Sequence, residues 1–218
     1  SEMCIRDSYE GELVKLTDNI VPKLCKVART EGHVAMYIAN GHGAWEAALA
    51  NTTDIGDKIL VVATGRFGHG WGEIGQKNGL NTTVLDFGTS STIDLAQLES
   101  ALKKDKNYKA VLVTHVDTST SVKNEIAPIR DLLNNLNHEA LLLVDCIASL
   151  ACDEFHMDDW GVDVMVAACQ KGIMVPPGVS FVFFNQKAKD RQKSLKMVAS
   201  YWDWDPRINP DYYYKYFG

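Results

Sequence analysis

The stretch DVMVAACQKGIMVPPGVSFVFF, Asp163 to Phe184, places one lysine, Lys171, between two apolar runs of strand length. Neither run alternates with polar residues, which predicts strands that are covered on both faces. Taking an ammonium group out of water is unfavourable unless it is paired or gives up its proton. Lys171 therefore needs a partner, a reaction or a path to the surface.

The composition is that of an ordinary globular chain. Its 218 residues, 46% of them hydrophobic, suffice for one full-sized core. A net charge of -6 with interspersed acids and bases argues against nucleic acid and favours small-molecule or protein partners. No apolar run reaches the roughly 20 residues that cross a bilayer, and no signal segment opens the chain. We therefore expect no membrane partner and a cytoplasmic enzyme.

Cysteine and histidine spacing predicts no metal site. The five cysteines form no Cys-x-x-Cys pair, and the six histidines show no metal-ligand spacing on one helix. Cys146 and Cys169 lie in apolar strand-like runs, where a buried inert thiol is the simplest interpretation.

Apolar runs alternate with segments of helical period along the chain. Three further runs predict buried parallel strands over residues 58–64, 109–116 and 140–147. Helical segments are predicted over residues 44–51, 71–79, 92–104 and 125–137. This alternation predicts an α/β fold whose ligands bind at the carboxyl ends of the strands.

The pattern changes near both ends. Residues 1–33 are interpreted as an N-terminal helical segment whose first residues are foreign to the natural protein. Residues 34–198 are predicted to form the ligand-binding domain. Residues 199–218 form an aromatic, aperiodic tail, interpreted as an excursion from the core towards a domain outside this chain, so we expect a fragment.

Two features near the predicted strand ends suggest ligand contacts. Asn40, Gly41, His42 and Gly43 open a helix, and backbone N–H groups at such a turn can bind an anion, although a plain turn is the alternative. Asp145 ends an apolar run, where a carboxylate needs a cation or backbone donors, or else serves as a structural cap.

A hydroxyl-rich turn and an aromatic complete the set. The segment VTHVDTSTS, residues 113–121, contains His115 and follows another strand, where it can donate to a ligand or satisfy its own loop. GRFGHGW, residues 65–71, supplies the aromatic, and a desolvated Lys171 is the nucleophile that Schiff-base chemistry needs. Together these features describe one cofactor, pyridoxal 5'-phosphate.

Four segments, in this order, closely resemble the class V pyridoxal-phosphate aminotransferases, in particular the serine–glyoxylate and alanine–glyoxylate branch. They are NGHGAWEAAL (40–49), VTHVDTSTSV (113–122), LLLVDCIASL (141–150) and QKGIMVPPG (170–178). The resemblance runs from about Val34 to Gly218. It implies the fold type I large domain, a seven-stranded mostly parallel sheet between helix layers, working as a homodimer with shared active sites.

The resemblance assigns a role to each matching position. Lys171 matches the lysine that forms the Schiff base, Gln170 its neighbour that contacts the cofactor, and Asp145 the aspartate on the pyridine nitrogen. Phe67 falls where an aromatic ring stacks on the cofactor, and Thr118 where a hydroxyl residue contacts it.

Further positions concern the phosphate and the pyridine face. Asn40, Gly41 and His42 match the phosphate-binding turn, whose first residue in relatives is usually Ser or Thr. Ile147 matches an aliphatic residue that packs against the pyridine. Tyr216 resembles a tyrosine that reaches the phosphate of the neighbouring subunit.

Two positions depart from the family pattern, and one expected group is missing. Ser121 stands where the family usually has Gly, and Gly172 where Ala is common. The arginine that clamps the substrate carboxylate in relatives belongs to a C-terminal small domain and is not in this chain.

The expected function is amino transfer from a small amino acid to a 2-oxo acid such as glyoxylate, by a ping-pong mechanism. Serine, alanine and ureidoglycine all stay open as donors, and so does the activity of the fragment alone. One alternative is a class V lyase or cysteine desulfurase, which needs a mobile cysteine loop near the site. The other is a dimerising module that binds pyridoxal phosphate without transferring anything.

Overall fold

Strands and helices alternate along residues 12–209, the part of the chain that the computed structural model describes. The strands are β1 (His33–Ile38), β2 (Lys58–Ala63), β3 (Asn81–Asp86), β4 (Tyr108–Thr114), β5 (Leu141–Asp145), β6 (Val164–Ala168) and β7 (Val179–Phe184). The helices are α1 (Glu12–Ala28), α2 (Gly41–Ala50), α3 (Arg66–Lys77), α4 (Leu95–Lys104), α5 (Ala127–Asn135) and α6 (Gln186–Lys193), with a 3-10 turn at Pro206–Ile208.

The strands form a single seven-stranded sheet in the order β1-β7-β6-β5-β4-β2-β3. Strand β7 runs antiparallel to both of its neighbours, and the other neighbouring pairs are parallel. The predicted mostly parallel seven-stranded sheet is confirmed. Thr114 pairs with Asp145, and Asp145 with Val166, so the carboxyl ends of β4, β5 and β6 meet at one edge.

Side chains alternate along the strands between two hydrophobic cores. One core receives Leu24 from α1, Leu98 from α4 and Leu133 from α5. The other receives Trp45 from α2 and Trp71 from α3. The sheet therefore lies between two helix layers, which is the arrangement predicted from its long apolar strands. Among residues 12–209, each helix is too short or too polar to cross a membrane.

Two helices differ from the sequence prediction. Helix α3 begins at Arg66, ahead of the predicted segment that opened at residue 71. Glycines in GRFGHGW hid this start, because they lower helix propensity, yet Gly68 packs where a Cβ would lie 2.9 Å from the Cα of Ala63. Helix α6 was not predicted, since it is polar almost throughout; Asn185 caps it by accepting from the N–H of Ala188.

The segment that follows α6 packs against the sheet. Trp204 is fully buried and stacks on Phe184 with ring centroids 3.9 Å apart. The hydroxyl of Tyr37 donates to the carbonyl of Trp202 over 2.7 Å. The expected excursion from the core is therefore wrong for residues 202–204, while Tyr201 stays 47% exposed.

Candidate active site

A cleft of about 250 Å³ opens at the carboxyl edge of the sheet. It lies between the start of α2, the first turn of α3, the ends of β4 and β5, and the loop after β6. Nine of the predicted site residues line it: Asn40, Gly41, His42, Phe67, Thr118, Asp145, Ile147, Gln170 and Lys171. Tyr216 lies outside the described residues, and its role stays a prediction.

Lys171 lies at the mouth of the cleft, in the loop between β6 and β7. Cys169 connects the two ends of this loop. Its thiol donates to the carbonyl of Pro176 over 3.1 Å and accepts from the N–H of Val179. Lys171 is exposed to solvent. The sequence left three outcomes for Lys171: a partner, a reaction or a path to the surface. The structure shows the path to the surface, and the buried environment that was expected for this lysine is not observed.

Asp145 closes the inner end of the cleft. As the last residue of β5 it points to the same face as Leu141 and Leu143, and it is only 3% exposed. Its Oδ1 accepts from the N–H of Ile147 over 2.7 Å, and its Oδ2 accepts from the indole N–H of Trp45 over 3.0 Å. Burial raises the pKa of Asp145 to about 7, and these two donors only partly offset that effect.

The predicted anion turn caps its own helix. The side-chain oxygen of Asn40 accepts from the N–H groups of His42 and Gly43, at 3.0 and 3.2 Å. A Cβ on Gly41 would lie 2.5 Å from the end of the Ile147 side chain, so only glycine lets the turn approach the cleft this closely. An anion bound here would meet the helix N-terminus and share its N–H groups with Asn40.

Trp45 is the principal cleft residue that the sequence analysis missed. It lies on α2 one turn beyond Gly41, fully buried, and stacks on Trp71 with 5.9 Å between ring centroids. Its edge meets the rings of His42 and Phe67. The signal was present in the sequence, because a residue four positions after a cleft glycine lies on the same helix face.

His115 does not line the cleft. Its side chain is fully buried in the opposite core, where Nδ1 makes a 2.8 Å hydrogen bond with the hydroxyl of Ser149. Phe155 and Trp160 pack around the ring. Burial lowers the pKa of His115 to about 4, so the ring is neutral at pH 7. Of the two interpretations of this histidine, the structure favours the one in which it serves the fold.

The four cysteines among residues 12–209 also lie away from the cleft lining. Cys146 is buried, and its pKa is raised by that burial. Cys152 is exposed, but it borders a separate hollow with Leu150 and Phe155, behind Gly172. Among residues 12–209, no cluster of His, Cys, Asp or Glu could hold a metal ion.

The cleft residues fit pyridoxal phosphate. The buried carboxylate of Asp145, which has only neutral donors, suits the ring cation of the cofactor. The glycine turn at the N-terminus of α2 suits its phosphate, and the solvent-reachable Lys171 suits its carbonyl carbon. Phe67 and Ile147 supply half-buried apolar walls for a planar ring.

A family model described as "Aminotransferase class-V" matches residues 36–203. An L-aspartate–glyoxylate aminotransferase from Paracoccus denitrificans is 36% identical over 80% of this chain and 44% of its own length. A serine–glyoxylate aminotransferase from Arabidopsis thaliana is 34% identical over 87% of this chain and 48% of its own. The chain thus spans about half the length of the curated relatives it matches.

Solved structures give the same fold. An alanine–glyoxylate aminotransferase from Nostoc sp. superposes with a TM-score of 0.82 at 27% identity, over 87% of this chain and 50% of that one.

Proposed function

Since the chain belongs to the class V aminotransferase family, we propose that its cleft binds pyridoxal 5'-phosphate and serves amino transfer from a small amino acid to a 2-oxo acid such as glyoxylate. One observation carries the proposal: Lys171 and the buried carboxylate of Asp145 line the same cleft. The curated relatives that support it are named for transfer to glyoxylate.

Asp145 would hold the protonated ring nitrogen of the cofactor. A bound cation compensates the desolvation that raises the pKa of this carboxyl, so the carboxylate becomes favourable once the ring is in place. When bound, the cofactor supplies the electron sink for the amino-transfer chemistry.

Lys171 would carry the covalent and proton-transfer work. Its amine would hold the cofactor through a covalent bond to the carbonyl carbon. The same amine, when free, would act as the general base toward Cα of the donor. Its position at the solvent-facing mouth of the cleft leaves it within reach of an entering amino acid.

The remaining cleft residues would bind and orient. The turn at Gly41 and His42, with Asn40, receives the phosphate at the helix N-terminus, and Phe67 covers one face of the ring. Ile147 would pack on the opposite face, and Gln170 and Thr118 would donate hydrogen bonds to polar groups of the cofactor.

The assembly is part of the same proposal. The family resemblance supports a homodimer with shared sites, in which Tyr216 would reach the phosphate held by the neighbouring subunit. The composition supports a cytoplasmic location.

The first test locates the attachment point. The purified chain is mixed with pyridoxal 5'-phosphate and reduced with borohydride, and the labelled peptide is identified by mass spectrometry. We expect label on Lys171, none in Lys171→Ala, and unchanged label in Lys103→Ala, whose exposed lysine pairs with Glu99 on α4. Label spread evenly over surface lysines in all three proteins would overturn the proposal.

The second test identifies the reaction. Serine, alanine and aspartate are each supplied with glyoxylate, and glycine and the 2-oxo acid product are quantified. Matched formation of both products, lost in Lys171→Ala, supports amino transfer. Cysteine is supplied in a parallel assay, and release of its sulfur as sulfide without formation of glycine would instead indicate a class V lyase.

A further inference from the structure

Asp117 is a fully buried carboxylate that the proposed chemistry does not use. It lies three residues after β4 and is 0% exposed. Its Oδ2 accepts from the N–H groups of Phe67 and Gly68 at 2.9 and 3.1 Å. Its Oδ1 accepts from the N–H and the hydroxyl of Ser119 at 2.9 and 2.6 Å. All four donors are neutral.

These hydrogen bonds connect two separate parts of the chain. Phe67 and Gly68 form the first turn of α3, so Asp117 caps that helix from 50 residues away in sequence. Gly65, the residue before the helix, makes no side-chain cap of its own. A helix N-terminus favours a negative charge, and charge-assisted hydrogen bonds are stronger than neutral ones. The cap is therefore supplied by tertiary structure.

Two neighbours of Asp117 strengthen the same junction. The Ser119 hydroxyl accepts from the N–H of Arg66 at 3.0 Å, and the Thr120 hydroxyl donates to the carbonyl of Thr64 at 3.0 Å. A Cβ on Gly65 would lie 2.5 Å from Cγ of Asp117, so the close approach requires glycine at that position. The turn after β4 and the start of α3 thus form one hydrogen-bonded unit.

Each half of this unit bears a residue that lines the cleft. Phe67 belongs to the helix half and Thr118 to the turn half. We propose that Asp117 is a positioning residue, which fixes the Phe67 ring and the Thr118 hydroxyl relative to each other across the cofactor cleft. The effect expected on cofactor binding rests on the proposed function, whereas the effect expected on the structure of the cofactor-free protein does not.

The charge of Asp117 also acts on Asp145. Burial is the main cause of the raised pKa of Asp145, and the nearby Asp117 carboxylate raises it further. Asp117 thus adds a second negative charge near the carboxyl that would meet the ring cation, while orienting the walls on either side of it.

The test compares two buried aspartates. Asp117→Asn keeps the size but replaces one acceptor oxygen with an NH2 group that faces donors. Asp163→Asn is the matched control: Asp163 is 2% exposed and accepts from Arg130, Asn185 and the N–H of Leu142, at the other ends of the strands. Both variants are expected to lower stability, so measurements are made well below both melting temperatures.

Two readouts separate positioning from stability. In cofactor-free protein, the amide resonances of Phe67, Gly68 and Ser119 should shift together in Asp117→Asn and stay in place in Asp163→Asn. With pyridoxal 5'-phosphate, Asp117→Asn should raise the dissociation constant roughly tenfold, because the Phe67 ring and the Thr118 hydroxyl would then have to be ordered when the cofactor binds. Visible circular dichroism of the bound cofactor should also weaken, because the stacked ring has lost its fixed orientation.

Asp117→Glu covers the case in which Asp117→Asn does not fold. It retains the carboxylate but lengthens the side chain by one methylene, so it should fold and still weaken the visible circular dichroism. Amide shifts confined to Ser119, or equal cofactor affinity and dichroism in the Asp117 and Asp163 variants, would overturn the inference. Failure of the wild-type chain to bind the cofactor would overturn the proposed function instead, and the amide shifts would still decide the role of Asp117.

Discussion

Ser121 adopts a backbone conformation that favours glycine. Its φ is 60°, in the left-handed region, where a Cβ is disfavoured. The conformation is enforced by the turn that Asp117 begins, because the N–H of Ser121 donates to the carbonyl of Asp117 at 2.8 Å. Glycine would adopt this conformation without strain, whereas this chain makes the turn with serine at some cost.

Replacing Ser121 by Gly should stabilise the chain. The relief of the left-handed strain outweighs the extra freedom that glycine has in the unfolded chain, so we expect a gain of about 0.5–1 kcal/mol. Urea unfolding measures it. Ser100→Gly, at an exposed position within α4, is the control and should lower the unfolding free energy. A loss of stability in both variants would show that the turn does not strain Ser121.

At the residue scale, the sequence predicted those cleft residues whose roles can be inferred from their own type and immediate neighbours. A glycine turn, a carboxylate after a strand and a lysine in a strand-to-strand loop each carry a local signature. Trp45 carries only its four-residue spacing from Gly41, and Asp117 carries no local signature. The roles of both depend on partners distant in sequence, Asp145 for Trp45 and the start of α3 for Asp117. The exposed state of Lys171 was likewise set by loop geometry, which the apolar runs on either side did not show.

Two loops meet behind Lys171, and their contact sets where the lysine lies. A Cβ built on Gly172 would be 2.1 Å from the carbonyl oxygen of Leu150 and 2.8 Å from the sulfur of Cys152. Ala151, at the centre of that turn, has a φ of 64°. The turn after β5 therefore occupies the space that an alanine side chain would need, and the contact requires glycine at this position.

Gly172→Ala should separate these two loops. The added methyl group forces the loop away from the turn, at a cost of about 1–3 kcal/mol for such overpacking, and moves Lys171 with it. Borohydride labelling of Lys171 should fall while the protein stays folded. Gly70→Ala provides the comparison, since its Cβ would meet the Trp45 ring at an ordinary 3.5 Å within α3. Full labelling in Gly172→Ala would mean that the contact does not position the lysine.

At the element scale, hydrophobic pattern predicted strands better than helix ends. The apolar runs around β2, β4 and β5 extend at most a few residues beyond the observed strands, because a fully buried strand leaves an unbroken apolar signal. The first turn of α3 has its cap on another element, and α6 has almost no apolar stripe. Neither feature is encoded in the local period of the sequence.

Across the whole molecule, the segment after α6 closes the second core. Trp204 is stacked on Phe184, and the guanidinium of Arg207 lies 4.3 Å from the ring centre of Tyr37. Asn51 at the end of α2 donates to the carbonyl of Trp202 at 2.6 Å. These contacts join the segment to β1, β7 and α2, so the core depends on residues that composition alone set apart as a tail.

Trp204→Ala should therefore destabilise the chain strongly. Removing a fully buried indole leaves a cavity and costs about 3–5 kcal/mol. Chemical denaturation of the variant gives the value, with Met197→Ala, a 73% exposed side chain, expected to change stability by less than about 0.5 kcal/mol. Equal, small effects in the two variants would restore the interpretation of this segment as an excursion.

The pairing of β1 with β7 has a consequence for the newly made chain. His33 pairs with Phe184, so the edge strand β1 has to wait for a partner from the other end of the domain. At a synthesis rate of roughly 5–20 residues per second, that wait lasts on the order of 7 to 30 s on the ribosome. Throughout it, Ala35 and Tyr37 stay uncovered, and the strand is open to wrong partners. The topology thus delays the pairing of β1 until β7 has been made.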